Sequence, residues 1–173
     1  MSNSNIANNA AIKKSVAVWL INAAVGKVFL QKRSASESRP FICQPTWNGK
    51  FERGEDVMAA LKREAEEELG SLFYNTFDFT KLVLFDSAQY SFDGKSFTGY
   101  SFWGVITDEQ LKSVVLHWSA EPEFIAVGVG DLARIKSRDD KTADPKKDIV
   151  LFEDQYRALK KLFSLKEVIE ITS

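Results

Sequence analysis

A mixed α/β (α+β) fold follows from three features of this chain. Residues 15–21 (SVAVWLI) and 27–31 (KVFLQ) are apolar runs of strand length separated by a short turn. Met58, Leu61, Ala65, Leu69 and Leu72 then recur at helical spacing. Residues 88–92 and 95–106 flank Asp93-Gly94, a pair suited to a tight hairpin turn. Strands, helix, hairpin, strand and closing helix, in that order, require a sheet with helices packed on it.

The length of 173 residues suits a single domain with a sizeable core, expected over residues 15–173. Residues 1–14 begin with a Ser/Asn/Ala-rich stretch and are expected to form a flexible arm. Lysine and arginine number 23 against 24 acids, a net charge of −1 that gives no signal for a nucleic-acid backbone binder. The single cysteine, Cys43, rules out an internal disulfide and fits a reducing compartment. Neither a membrane-length apolar run nor a signal-peptide core is present, so a cytoplasmic protein is expected.

The first two runs are apolar almost throughout, as strands covered on both faces are. The second ends at Gln31-Lys32-Arg33, and residues 34–46 form a loop with two prolines. The helix that follows has Asp56 as its N-cap and Gly70 as its C-terminal stop. Residues 81–85 (KLVLF) read as a further strand, followed by the hairpin. In the hairpin's second strand, Phe97, Gly99, Ser101 and Trp103 share one face, and Thr98, Tyr100 and Phe102 the other. Residues 108–115 suggest a helical turn and then a strand, and residues 125–127 another strand. Gly130 to Ile135 reads as a short helix, residues 137–147 as a solvated loop, and residues 148–163 as the closing amphipathic helix.

The acids of the first helix are badly arranged for stability alone. Glu64 repels Glu67 at i,i+3 and Glu68 at i,i+4, by about 0.2–0.5 kcal/mol each. Neither Glu64 nor Glu68 has a basic residue three or four positions away, and the last turn of a helix disfavours anions. A solvated acidic face is the commoner reading of a bare E-x-x-E-E. Three carboxylates at this spacing can also converge on one or two hard divalent ions, leaving room for water and phosphate oxygens, which suits magnesium.

The wider pattern favours the second reading. Gly49, Glu55, Arg63-Glu64, Glu67-Glu68 and Gly70 resemble the Nudix box, G-x5-E-x7-R-E-U-x-E-E-x-G-U, at every fixed position. Ala65 is a small version of the first aliphatic position, and Ser71 departs from the last. The resemblance implies a Nudix fold, a mixed β-sheet sandwiched between α-helices. It implies Glu64, Glu67 and Glu68 as metal ligands with the Gly49 carbonyl as a further one, and Glu55 paired with Arg63 to orient them. It also implies Mg2+, with Mn2+ as substitute, and hydrolysis of a diphosphate linkage in a nucleoside diphosphate joined to another group. Dimers are common in the family.

Outside the box the readings are more open. Arg33 ends its strand as a similar Q-x-R does in many Nudix proteins, pointing towards the phosphates. Trp47 either stacks on a base or an isoprenoid tail, or covers the loop. Glu121, and after it Glu123, stand where many family members keep a catalytic or metal-binding glutamate; a solvated loop is the alternative for each. The resemblance leaves the general base open among the motif glutamates Glu67 and Glu68, Glu121 and Glu123. Two other activities on this fold are an isopentenyl-diphosphate isomerase, which uses a cysteine, and a ligand sensor, which has usually lost motif acids.

Overall fold

In the computed structural model, residues 12–117 and 123–172 are described. The strands are β1 (Lys13–Asn22), β2 (Lys27–Lys32), β3 (Cys43–Gln44) and β4 (Trp47–Lys50), followed by helix α1 (Val57–Thr76). Next come β5 (Val83–Phe92), β6 (Lys95–Ile106), α2 (Asp108–His117) and β7 (Glu123–Val127). The chain closes with β8 (Ile135–Ser137), β9 (Ile149–Leu151), α3 (Glu153–Leu162) and α4 (Lys166–Thr172).

β1 is the spine of the mixed sheet. Along its whole length it pairs in parallel with β6. Its other edge is divided: Ser15 to Val18 pair antiparallel with β4, and Leu20 to Asn22 with β2. The full path runs β5-β6-β1-β2-β3-β9-β8, with β7 added beside β2. Thr46 secures the division, accepting from the Leu20 N–H at 2.9 Å and donating to the Phe29 carbonyl at 2.6 Å.

Strand alternation in β1 separates two cores. Val16, Val18 and Leu20 face α1, packing with Leu61, Ala65, Leu69 and Phe73. Trp19 and Ile21 face the other way, towards Leu159 and Leu162 of α3 and Val168 of α4. The sheet is thus sandwiched between helices. β6 serves both layers, Trp103 packing on the α3 side and Tyr100 and Phe102 on the α1 side.

Asp56 caps α1 by accepting the Ala59 N–H at 2.8 Å. Gly70 interrupts the helix at φ 84°, ψ 161°, a conformation essentially confined to glycine, and a second helical piece continues to Thr76. That break shifts the phase of the apolar stripe. Leu72 is 61% exposed, and Phe73 takes the buried place expected of Leu72; Met58, in the first turn and before the break, is 38% exposed. The Asp93-Gly94 turn has positive φ at both residues, as a two-residue hairpin of the primed type requires.

Three further expectations are corrected. Residues 108–115 belong to one helix, α2, with no strand after its first turn. The short helix from Gly130 is a 3-10 turn, Val129–Arg134, that ends where β8 begins. The closing helix starts at Glu153, because Ile149, Val150 and Leu151 form a buried strand parallel to both β3 and β8. Most of the expected N-terminal arm, residues 1–11, lies outside the described residues, and Lys13 and Lys14 already belong to β1.

Gly70→Ala should destabilise the protein by about 1–3 kcal/mol, because a Cβ cannot adopt this backbone conformation without strain. Urea denaturation would register this as a lower midpoint with an unchanged slope.

Candidate active site at the β4 edge

The site is built where α1 passes β4. Glu64 lies in the buried layer, and its carboxyl group rests on the Cα of Gly49; a Cβ there would come within 1.8 Å of the Glu64 Cδ. A side chain at position 49 would therefore have to displace the carboxylate. One turn further on, Glu68 Oε2 accepts the backbone N–H of Asn48 at 3.4 Å. Two carboxyl groups are thus pressed against adjacent residues of one short strand.

Their charges are poorly solvated. Burial raises the Glu64 pKa, against the opposing pull of Arg63. Burial, followed by the negative charge of Glu64, pushes Glu68 up to about 8. A divalent cation would relieve both penalties, and an all-oxygen donor set suits magnesium.

Arg63 organises the rest of the box. Its guanidinium forks onto Glu55, Nε to Oε1 at 2.7 Å and NH2 to Oε2 at 3.1 Å, and NH2 also donates to the Lys50 carbonyl at 2.8 Å. NH1 donates to Glu64 Oε1 at 2.9 Å and to Glu67 Oε2 at 3.3 Å. Glu64 therefore does have a basic partner, its own chain neighbour, which helix spacing alone does not reveal. Arg63 also lowers the Glu55 pKa, chiefly through this hydrogen bonding. Glu67 is drawn outward, its side chain 58% exposed. Among the described residues no three acidic, histidine or cysteine side chains are already gathered at one point, and the outward turn of Glu67 accounts for its absence from the buried pair.

Across β4 lies a cavity of ≈ 160 Å³. Asn48, Gly49 and Lys50 form one wall, β1, β5 and β6 its floor, and Phe152, Asp154 and Gln155 at the start of α3 its far side. Tyr90 and Phe97 stack at 5.3 Å in this cavity, and Tyr90 shares a hydrogen bond with Ser15. Tyr100 also reaches the cavity.

Trp47 does not stand at the rim. It is fully buried, edge-on to Phe73, Phe77 and Phe79, so it fills the α1 core and is closed to a ligand. Arg33 is not in the cavity wall either. It braces its own loop, Nε donating to the Ser38 carbonyl at 2.9 Å and NH2 lying 3.3 Å from Glu37. Glu121 lies outside the described residues, and Glu123 begins β7 opposite Lys32. The sequence reading missed Asp154 and Gln155 as cavity residues: Gln155 fell with Tyr156, Leu159 and Leu162 on the recurring face of the closing helix, and Asp154 carried no signal of its own. It also missed Lys50, whose Nζ stands 5.6 Å from the Phe97 ring centre.

The NUDIX domain family model matches residues 11–150. The chain belongs to that family. No curated protein matches it. Among solved structures, a mutT/nudix family protein from Listeria innocua is similar over 91% of this chain and 94% of its own, at 17% identity and a TM-score of 0.52. An Ap4A hydrolase from C. elegans is similar over 56% of this chain and 70% of its own, at 17% identity and a TM-score of 0.41. No described helix is long and apolar enough to cross a membrane.

The sign of the Glu68 shift gives a test of the metal-free protein. A carboxyl whose folded pKa is raised destabilises the fold once it must ionise. The penalty is absent below about pH 4.5, grows as pH rises, and is complete above about 8. Glu68→Gln should therefore be more stable than wild type in EDTA at pH 8 by on the order of 2 kcal/mol, with the difference vanishing near pH 4. Magnesium should raise the melting temperature of wild type and leave that of the variant unmoved.

Proposed function

We propose that this chain is a Nudix hydrolase that cleaves the diphosphate linkage of a nucleoside diphosphate joined to another group. Magnesium would be the working ion, with manganese as substitute. The observation that carries the reading is the buried, mutually repelling pair Glu64 and Glu68, held against β4, whose residues Asn48, Gly49 and Lys50 also line the neighbouring cavity.

Glu64, Glu68 and the Gly49 carbonyl would hold the metal, joined by Glu67 when its carboxylate leaves Arg63. When bound, the metal neutralises phosphate charge and lowers the pKa of a coordinated water. Arg63 positions the acids: its fork onto Glu55 fixes the guanidinium, which in turn fixes Glu64. Lys50, at the cavity wall, would face the negative charge of the diphosphate. Glu67, Glu68 or Glu121 would take the proton of the attacking water at a carboxylate oxygen.

The isomerase reading lacks a cysteine placed for proton transfer. Cys43 is fully buried on β3 and does not line the cavity. The sensor reading sits poorly with the retention of Glu64, Glu67 and Glu68 at a cost in repulsion.

A phosphate-release screen with magnesium and then manganese, across nucleoside triphosphates, dinucleotides, sugar nucleotides and isopentenyl diphosphate, tests the proposal. Glu67→Gln and Glu68→Gln should each lower turnover by roughly 10²–10⁴-fold while circular dichroism stays native. Wild-type rates in both variants would sink the metal-site assignment. Glu121→Gln, losing turnover with unchanged metal-dependent melting, would mark that residue as the base.

A further inference from the structure

Residues 33–42, between β2 and β3, form a loop braced from within. Its two ends are joined to each other: the Arg33 N–H donates to the Ile42 carbonyl and the Phe41 N–H to the Arg33 carbonyl, each at 3.0 Å. Both bonds continue the pairing of Lys32 with Cys43. Inside the loop, the Ser34 N–H donates to Glu37 Oε2 at 2.7 Å, and Arg33 Nε to the Ser38 carbonyl. A segment that keeps its own hydrogen bonds can move as one body. Ile42 anchors its end in the core beside Val150 and Phe152, and Lys146 stands 5.9 Å from the Phe41 ring centre.

The loop's hold on the cavity falls to Arg39. Its guanidinium pairs with Asp93 at the turn of the β5–β6 hairpin. It also lies 4.4 Å from the ring centre of Phe92 and 5.8 Å from that of Phe152. Phe92 and Phe152 both line the cavity and meet edge to face at 5.6 Å. The loop therefore closes over one end of the cavity.

This contact works against the backbone. Arg39 at φ 57° and Phe41 at φ 65° both lie in the left-handed region, unfavourable for bulky side chains. Arg39 also precedes Pro40, and the residue before a proline prefers extended backbone. Asp93 is 61% exposed, so its attraction for Arg39 is weak and screened by salt. A strained segment restrained by one exposed ion pair and a ring contact is poised to release.

We propose that residues 33–42 are a strap over the cavity, latched by Arg39 onto Asp93 and Phe92, that opens as one body to admit ligand. The closed cavity, ≈ 160 Å³, is well below the roughly 300 Å³ at which sites for drug-sized ligands begin. A nucleotide-like ligand needs the added room; that need rests on the functional reading above, whereas the latch does not. The strap also approaches the acids: burial and Glu64 dominate the upward shift of Glu68, and Glu37 adds to it across space.

Hydrogen exchange on the full chain tests the latch with no ligand present. Asp93→Asn removes the charge and keeps a residue suited to positive φ before Gly94, so the hairpin turn stands. Asp93→Asn and Arg39→Ala should each speed exchange across residues 34–41 by about tenfold, with the double variant no faster than Arg39→Ala alone. Raising sodium chloride to about 1 M should speed exchange there in wild type and leave both variants unmoved. Exchange in β1 and α1 should stay constant, which shows the fold intact. Access to the cavity is read separately, by tetranitromethane nitration of Tyr90 in its wall. Nitration should be about threefold or more faster in both variants, with Tyr74 of α1 and Tyr156 of α3 as unchanged references. Equal exchange of residues 34–41 in wild type and variants, or effects that multiply in the double variant, overturns the latch. Faster exchange with unchanged Tyr90 nitration overturns the strap's control of the cavity. Neither readout involves turnover, so failure here leaves the hydrolase reading untouched.

Discussion

The contact between the Glu64 carboxyl and the Cα of Gly49 is the constraint on which the rest of the site depends. It fixes how closely α1 approaches β4, since any side chain at position 49 would collide with the acid. It also carries Glu68, one turn on, to the backbone of Asn48. Close approach desolvates both acids, and the fold tolerates this because Arg63 holds Glu64 from the solvent side while itself anchored on Glu55 and the Lys50 carbonyl. Guanidinium geometry matters here: a lysine offers one charged centre and could not bridge Glu55, Glu64 and a carbonyl at once.

The two-sided spine β1 gives this contact its surroundings. Side chains of one parity anchor α1 and therefore the acids; those of the other build the α3 layer. β4 covers only the first half of β1, so Asn48 and Lys50 line a cavity on the α3 side while α1 packs on the other. The acid pair and the cavity thereby lie on opposite faces of one strand.

Much of this was legible in the sequence, for particular reasons. The box could be read because its spacing mixes helical geometry with charges that no stable helix would choose. The strands β1 and β2 and the Asp93-Gly94 hairpin declared themselves by local chemistry. Trp47 misled because an aromatic beside a glycine-rich loop has the same sequence signature at a rim and in a core; only the partners Phe73, Phe77 and Phe79, distant in sequence, decide between them. Strand β9 was absorbed into the helix after it because three buried apolar residues carry no period of their own. Leu72 and Phe73 exchanged places because Gly70 acts within a helix, resetting its phase, where a stop had been expected. Arg63 reaching Glu64 escaped notice because neighbours in a helix point apart, and only a side chain as long as arginine can turn back.

The split between what was and was not legible follows the division of labour at β4. Glu64, Glu67 and Glu68 stand at fixed spacing on one helix, so they leave a linear signature. The cavity beside β4 is assembled chiefly from β1, β4, β5, β6 and α3, each giving three or four residues, and no spacing rule connects Tyr90 with Gln155. A motif carried on one helix is therefore the part that sequence displays, and a cavity lined from several elements is the part that needs the fold. An unpartnered Gln155 Oε1 illustrates the point: in the sequence it is one more polar residue on an amphipathic helix, and only burial turns it into an unmet demand for a donor.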